Sequence, residues 1–188
     1  MPYNYKINEN DMEIIDNFLR EDTFQSISNS ITGHTFPWFF NETVDYVGQQ
    51  TDNYQFIHNF LRLDAGQYGV SQGMQFVIPI IDELKPVHLL KIKANLNVRG
   101  DGNEIGDFHR DVGVDGAKTA IFYLNTNNGC TEFKDGQKIK SVANRMVIFD
   151  SDKSHRGVSC TDEKCRILIN FNYIPYSDKY TYLMDSMM

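Results

Sequence analysis

The sequence predicts a mainly β protein with helices near its N-terminus, an α+β arrangement built around a sandwich or jelly roll. Three observations predict it. Leu90, Ile92, Ala94, Leu96 and Val98 alternate with Lys91, Lys93, Asn95, Asn97 and Arg99, the period of two expected of a strand with one buried face. Further β-rich stretches follow at Lys118 to Leu124, Thr131 to Phe133, Arg145 to Phe149 and Arg166 to Tyr173, separated by Asn127-Asn128-Gly129, Asp135-Gly136 and Ser151-Asp152-Lys153-Ser154. Apolar residues at helical spacing, by contrast, fall in the first half of the chain.

In chain order, Asn10-Asp11-Met12-Glu13 has the layout of a capping box, and Ile14, Ile15, Phe18 and Leu19 then recur at helical spacing, which predicts a first helix. A second is predicted over Phe24, Ile27 and Ile31, ending at Gly33, and a third from Phe76 to Leu84, where Pro86 stops it. Trp38 to Val47 and Tyr54 to Leu61 carry the aromatic and branched residues of strands, with the polar cluster Gln49-Gln50-Thr51-Asp52-Asn53 between them. No internal repeat, low-complexity tract or linker divides the chain. The expectation is therefore one domain over 1–188: helix-rich support over 1–88, a jelly-roll core over 89–174 and a tail over 175–188.

Composition narrows the function. The 188 residues are 41% hydrophobic and 23% charged, enough apolar content to form a core without disulfide or metal staples. A net charge of −7, with no Lys/Arg stripe, excludes the electrostatic footprint of a nucleic-acid binder. The longest apolar runs, such as Phe76-Val77-Ile78-Pro79-Ile80-Ile81, fall far short of a membrane span, and the polar start Met1-Pro2-Tyr3-Asn4-Tyr5-Lys6 lacks a signal-peptide pattern. The three cysteines, Cys130, Cys160 and Cys165, form no Cys-x-x-Cys pair and read as reduced thiols, in keeping with a cytoplasmic protein.

His109-Arg110-Asp111 sets an imidazole and a carboxylate two positions apart, and in an extended segment such residues point to the same side. His155 follows after a long β-rich interval and must reach them from another strand or loop. Two histidines and one carboxylate on one face of an ion leave neighbouring positions open, the set associated with non-haem Fe(II) oxygenases; zinc and Mn(II) stay open beside iron. A His-x-Asp triplet also occurs by chance, and Arg166 adds weight. It opens a strand in which it shares a face with Leu168, Asn170 and Asn172, opposite Ile167, Ile169, Phe171 and Tyr173. If that face is inward, its guanidinium needs an anion, and its planar fork suits a small dicarboxylate. The other reading of Arg166 is a surface residue at a strand end.

The order His109-x-Asp111, His155, Arg166, with Thr119-Ala120-Ile121-Phe122-Tyr123-Leu124-Asn125 and Gly129-Cys130-Thr131-Glu132-Phe133 between, resembles the 2-oxoglutarate and Fe(II)-dependent dioxygenases, specifically their prolyl-4-hydroxylase-like branch. The resemblance covers roughly Leu89 to Tyr173. It implies a double-stranded β-helix with Fe(II) on His109, Asp111 and His155, and Arg166 paired with the distal carboxylate of 2-oxoglutarate. It further implies Tyr123 as a hydrogen-bond donor to the co-substrate, Asn170 as a support of the same carboxylate, O₂ as oxidant and ascorbate as a further cofactor. Thr119 shares a strand face with Tyr123 and reads either as part of that co-substrate pocket or as a plain buried sheet threonine. The sequence departs from the family at Cys130, where a second glycine is common, and before the first histidine, where Asn95 and Asn97 stand in place of a tyrosine.

The implied activity is hydroxylation with release of succinate and CO₂, on a prolyl peptide, a free amino acid or another small metabolite, by a monomer or homodimer. A jelly-roll protein that binds metal or ligand without turnover, as a sensor or interaction module, is the alternative of another class. A nucleic-acid demethylase on the same chemistry is disfavoured by the acidic charge. His109-Arg110-Asp111 also spells the kinase catalytic triplet, but Gly116 stands where the kinase asparagine belongs. His34, His58 and His88 read as packing or surface residues, with His58 the one that could approach the site, and Trp38 reads as core. Lys93 and Asn95 face either the cavity mouth or solvent. The loop from Arg99 to Asp107 and the Tyr-rich tail from Tyr176 to Met188 are the segments expected to vary with substrate and partner.

Overall fold

The computed structural model describes residues 5–8, 12–44, 54–64, 66–100 and 106–176. The longest strands of its larger sheet are those with the clearest alternation in sequence: β6 (Pro86–Val98) and β12 (Cys165–Pro175), which pair antiparallel along most of their length. Around them the sheet runs β1-β2-β10-β7-β12-β6-β4-β3, with β1 Tyr5–Asn8, β2 Met12–Ile15, β3 Phe39–Asn41, β4 Gln55–Asp64, β7 Lys118–Tyr123 and β10 Arg145–Asp150; β5 (Gln67–Val70) pairs with β4. A smaller sheet, β11-β8-β9, lies over it, formed by His155–Val158, Cys130–Phe133 and Lys138–Lys140. This is the predicted jelly roll, antiparallel throughout the described pairings.

Strand alternation gives the large sheet two different faces. Ile92, Ala94, Ala120, Phe122, Met146, Ile167, Ile169 and Phe171 are buried on one face, against Phe24, Ile27 and Ile31 of helix α1 (Glu21–Thr32) and Ile80 of helix α2 (Ile78–Leu84). The helices thus buttress one sheet, as expected. Ile121, Tyr123, Val147, Phe149 and Leu168 point the other way and meet Phe133 and Ile139 of the small sheet. Arg166 belongs to this second face, as its spacing predicts, and is buried.

The second predicted helix is α1, with Gly33 as its C-cap. The third is shorter than predicted: Phe76 ends a 3₁₀ turn (Gln72–Phe76), α2 begins at Ile78, and left-handed Lys85 ends it just before Pro86 opens β6. The first predicted helix is a correction. Met12–Ile15 is strand β2, paired with β10 through Ile15 to Met146 and Ile14 to Val147. A four-residue segment with consecutive β-branched Ile14 and Ile15 has little helical preference to set against a sheet edge that supplies its hydrogen bonds. Asn10 and Asp11, half of the capping box, lie outside the described residues, as do 45–47 of the predicted strand Trp38 to Val47. Strands β2 to β5, in the half of the chain expected to be helix-rich, join or extend the large sheet.

Asn144 fastens the helical layer to the sheet. It adopts a left-handed backbone (φ 59°); its Oδ1 accepts from Leu19 N at 2.9 Å and its Nδ2 donates to Leu19 O at 2.8 Å. Replacing it with Ala removes both bonds and forces a Cβ residue without side-chain compensation into the left-handed region, an expected loss of about 2–4 kcal/mol in urea unfolding. Asn144→Gly loses the same bonds but accepts the dihedral, so its loss is expected to be smaller by roughly 1 kcal/mol. Equal losses would show that the backbone contributes nothing.

Candidate metal centre

His109 and His155 are brought together by main-chain chemistry. They form an isolated antiparallel bridge that extends the small sheet beyond β11: His109 N donates to His155 O at 2.9 Å, and His155 N to His109 O at 3.0 Å. Their rings stand 4.7 Å apart between centroids. Asp111, two residues on, turns its carboxylate to both, with Oδ1 3.9 Å from His109 Nε2 and Oδ2 3.7 Å from His155 Nε2. One donor atom from each of the three residues falls within a 4.8 Å span.

Each imidazole is held by the chain just before it. His109 Nδ1 lies 3.0 Å from Asp107 O, and His155 Nδ1 lies 3.1 Å from Lys153 O. A carbonyl only accepts, so Nδ1 carries the hydrogen in both rings and the lone pair of the neutral ring falls on Nε2, the atom that faces Asp111. Phe149 packs 4.9 Å from the His155 ring and Phe133 packs 6.0 Å from it, an apolar wall behind the imidazole.

The carboxylate is fixed from behind. Thr119 Oγ1 donates to Asp111 Oδ2 at 2.8 Å; Asn172 Nδ2 donates to Thr119 Oγ1 at 3.0 Å, and Ser151 Oγ lies 3.0 Å from it. Burial works to raise the Asp111 carboxyl, but the charge that His155 and His109 carry as imidazolium, together with the donors of Thr119 and Asn172, outweighs it and holds the group below its ordinary value, as an anion. Thr119 therefore stands behind the carboxylate of Asp111, and its hydroxyl is used there.

Arg166 lies on the wall of the same cavity, a space of about 200 Å³ reached by Lys91, Lys93, Asn95, Arg110 and Asn170. Its Nε donates to Ser141 Oγ at 2.8 Å and its Nη2 to Thr131 Oγ1 at 3.0 Å. Burial alone lowers the guanidinium's affinity for its proton, yet it remains charged, and no carboxylate among the described residues pairs with it. Gly129 is required beside it, because a Cβ there would stand 2.8 Å from Arg166 Cδ and 2.8 Å from Val158 O. Tyr123 lies beneath, wholly buried, with its ring 5.5 Å from the guanidinium and its hydroxyl 2.8 Å from Thr131 Oγ1; Thr131 stands between it and the cavity. Burial raises the Tyr123 phenol against the pull of Arg166, so it stays protonated. Asn170 lines the cavity, and its buried Oδ1 has no hydrogen-bond partner.

The donor set fits a divalent ion. Atoms each about 2.1 Å from one ion stand roughly 3.0–3.4 Å apart at octahedral or tetrahedral angles, so side-chain shifts of roughly an ångström close the site. Both on the wall, a buried guanidinium lacking an acid suits an anionic group, and a buried amide oxygen lacking a donor suits an N–H or O–H. His58 is not part of the site. It is held by Pro37 O and Ser71 Oγ at 2.8 and 2.7 Å, and pairs with Ala94 on the helix-facing side of the sheet. His88 lies 2.9 Å from Tyr68 Oη, and Cys130, Cys160 and Cys165 are free thiols. Sequence reasoning assigned no role to Ser141 or Ser151, polar residues just past strand ends that show no pattern until the fold closes, and placed Asn172 on the face of Arg166 without a partner.

No family model matches the sequence, and no curated protein is significantly similar to it. Solved structures are similar in fold. An oxidoreductase of the 2OG-Fe(II) oxygenase family from Burkholderia pseudomallei superposes with a TM-score of 0.61 at 6% identity, over 87% of this chain and 85% of that one. A prolyl-4-hydroxylase of Pseudomonas putida gives 0.56 at 15% identity, over 89% and 94%. The non-heme α-ketoglutarate-dependent epimerase SnoN of nogalamycin biosynthesis gives 0.60 at 12% identity, over 88% and 79%.

Thr119→Val keeps shape and removes the donor to Asp111. Metal affinity, measured by competition with a chromogenic chelator, is expected to fall about 10- to 100-fold while Thr119→Ser retains it. Unchanged affinity in the valine variant would mean that Thr119 does not hold the carboxylate. At identities this low the superpositions speak to architecture: the chain has the jelly-roll fold of the 2OG-Fe(II) oxygenases.

Proposed function

We propose that this chain is an Fe(II)- and 2-oxoglutarate-dependent dioxygenase that hydroxylates its substrate with release of succinate and CO₂. One observation carries the reading: a His109, Asp111 and His155 donor set shares its cavity with the buried, acid-free guanidinium of Arg166. Nε2 of both histidines and the Asp111 carboxylate would hold the metal, and Arg166 would pair with the distal carboxylate of the co-substrate. When bound, metal and 2-oxoglutarate supply oxidative decarboxylation, placing one atom of O₂ in succinate and the other in the substrate.

The protein's own contribution is positioning. Carbonyls of Asp107 and Lys153 orient the imidazoles, Thr119 orients the carboxylate, and Ser141 and Thr131 aim the guanidinium. Ile121 and Leu168 give the cavity wall an apolar stretch that excludes water from the reacting centre. In its finer form the reading is of a prolyl or peptidyl hydroxylase in a cytoplasmic, single-domain protein. The motif order around Tyr123 and Arg166 and the likeness in fold to the Pseudomonas putida prolyl-4-hydroxylase support that form.

Anaerobic reconstitution with Fe(II) and 2-oxoglutarate is expected to give a weak visible charge-transfer band, with succinate released on admitting O₂. Asp111→Ala is expected to lose both. Arg166→Lys, which keeps the charge but not the planar fork, and Arg166→Ala are expected to retain the metal and weaken 2-oxoglutarate by about 30-fold or more in the alanine variant. Undiminished 2-oxoglutarate affinity in Arg166→Ala would remove the carboxylate clamp.

A further inference from the structure

The polar face of β6 turns inward. Lys91, Lys93, Asn95 and Asn97 do not point to bulk solvent on the back of the sheet; all four line the cavity that holds His109, Asp111, His155 and Arg166. The alternate residues Ile92 and Ala94 are fully buried against the helical layer, so strand geometry leaves the lysines no other face. Arg110 lines the same cavity. Among the described lining residues, Asp111 is the only carboxylate, against Lys91, Lys93, Arg110 and Arg166.

This bias runs against the chain as a whole, whose net charge is −7. A wall of one sign inside a concave, partly desolvated space focuses its field and selects ligands of the other sign. In the function proposed above, the metal and 2-oxoglutarate use Asp111 and Arg166 and neutralise one another's charge, and Lys91 remains over. Lys93 and Arg110 have contacts of their own, whereas Lys91 takes part in no ion pair among the described residues. On the neighbouring strand, Asn170 pairs in register with Lys93, and its Oδ1 is an acceptor without a donor.

We infer that the substrate is an anionic small molecule, bearing a carboxylate or phosphate group that Lys91 anchors, with an N–H or O–H group nearby for Asn170 Oδ1. The inference rests on the dioxygenase reading and deepens it. It parts from the peptidyl form of that reading, because it favours a free amino acid or an acidic metabolite over an internal residue of a peptide, whose carboxyl group is tied up in an amide.

The test uses the full chain loaded with Zn(II), which does not turn over, and saturating 2-oxoglutarate. Ligand-observed NMR follows shape-matched pairs of probes that differ in the anionic group: small carboxylates with their primary amides, and small phosphate monoesters with their parent alcohols. Charged members are expected to bind while their neutral counterparts do not, and to weaken as salt is raised. Whichever charged class binds identifies the anion. Lys91→Gln is expected to weaken that binding at least about fivefold, and Lys91→Arg to restore it. Equal binding of neutral partners, no charged binder, displacement of 2-oxoglutarate by the probes, or indifference to Lys91→Gln would each overturn the inference. The 2-oxoglutarate signal in the same tubes separates the two readings: if 2-oxoglutarate does not bind, the dioxygenase proposal itself fails; if it binds, only the anionic-substrate inference is at stake.

Discussion

The site depends on one pair of main-chain hydrogen bonds. The reciprocal bridge between His109 and His155 joins two segments that are remote in sequence, and each imidazole is then pinned through Nδ1 to a carbonyl of its own segment. Backbone bonds of this kind are less easily displaced than side-chain contacts on a loop, and they fix two donors before any ion arrives. Asp111 follows within two residues, so placing the bridge places the third donor as well.

Strand alternation does the rest. On β12, Ile167, Ile169 and Phe171 seal the helical layer while Arg166, Leu168 and Asn170 furnish the cavity. On β7, Ala120 and Phe122 face the helices while Thr119 reaches Asp111 and Tyr123 underlies Arg166. A single sheet therefore supplies both the core that stabilises the fold and the polar groups that equip the site, the two faces kept apart by a period of two. A register slip of one residue in β12 would exchange them and bury Arg166 among the phenylalanines.

How much of this was legible in sequence follows from the same physics. β6 and β12 were readable because the contrast between their faces is strong and sustained, and His109, Asp111 and Arg166 stood out as polar groups in or beside such strands. Met12–Ile15 was misread because Ile14 and Ile15 satisfy a helical and a strand pattern alike; the deciding partner, β10, lies some 130 positions away. Thr119 was read as either a pocket residue or a buried sheet threonine, and its bond to Asp111 was not foreseen, since alternation specifies a side and not what stands opposite. Ser141 and Ser151 show no local pattern, Asn172 shows only its face, and their importance arises when Arg166 or Thr119 comes within reach. Lys93 read equally as cavity mouth or solvated face because periodicity cannot tell a cavity from bulk water.

The central claim is that one divalent ion takes Nε2 of both histidines while both Nδ1–H groups stay on backbone carbonyls. Proton NMR of the Co(II)-substituted protein tests it most directly. Two strongly shifted, exchangeable imidazole N–H resonances are predicted, one lost in His109→Ala and the other in His155→Ala. A single such resonance, or none under conditions where cobalt is bound, would contradict the account.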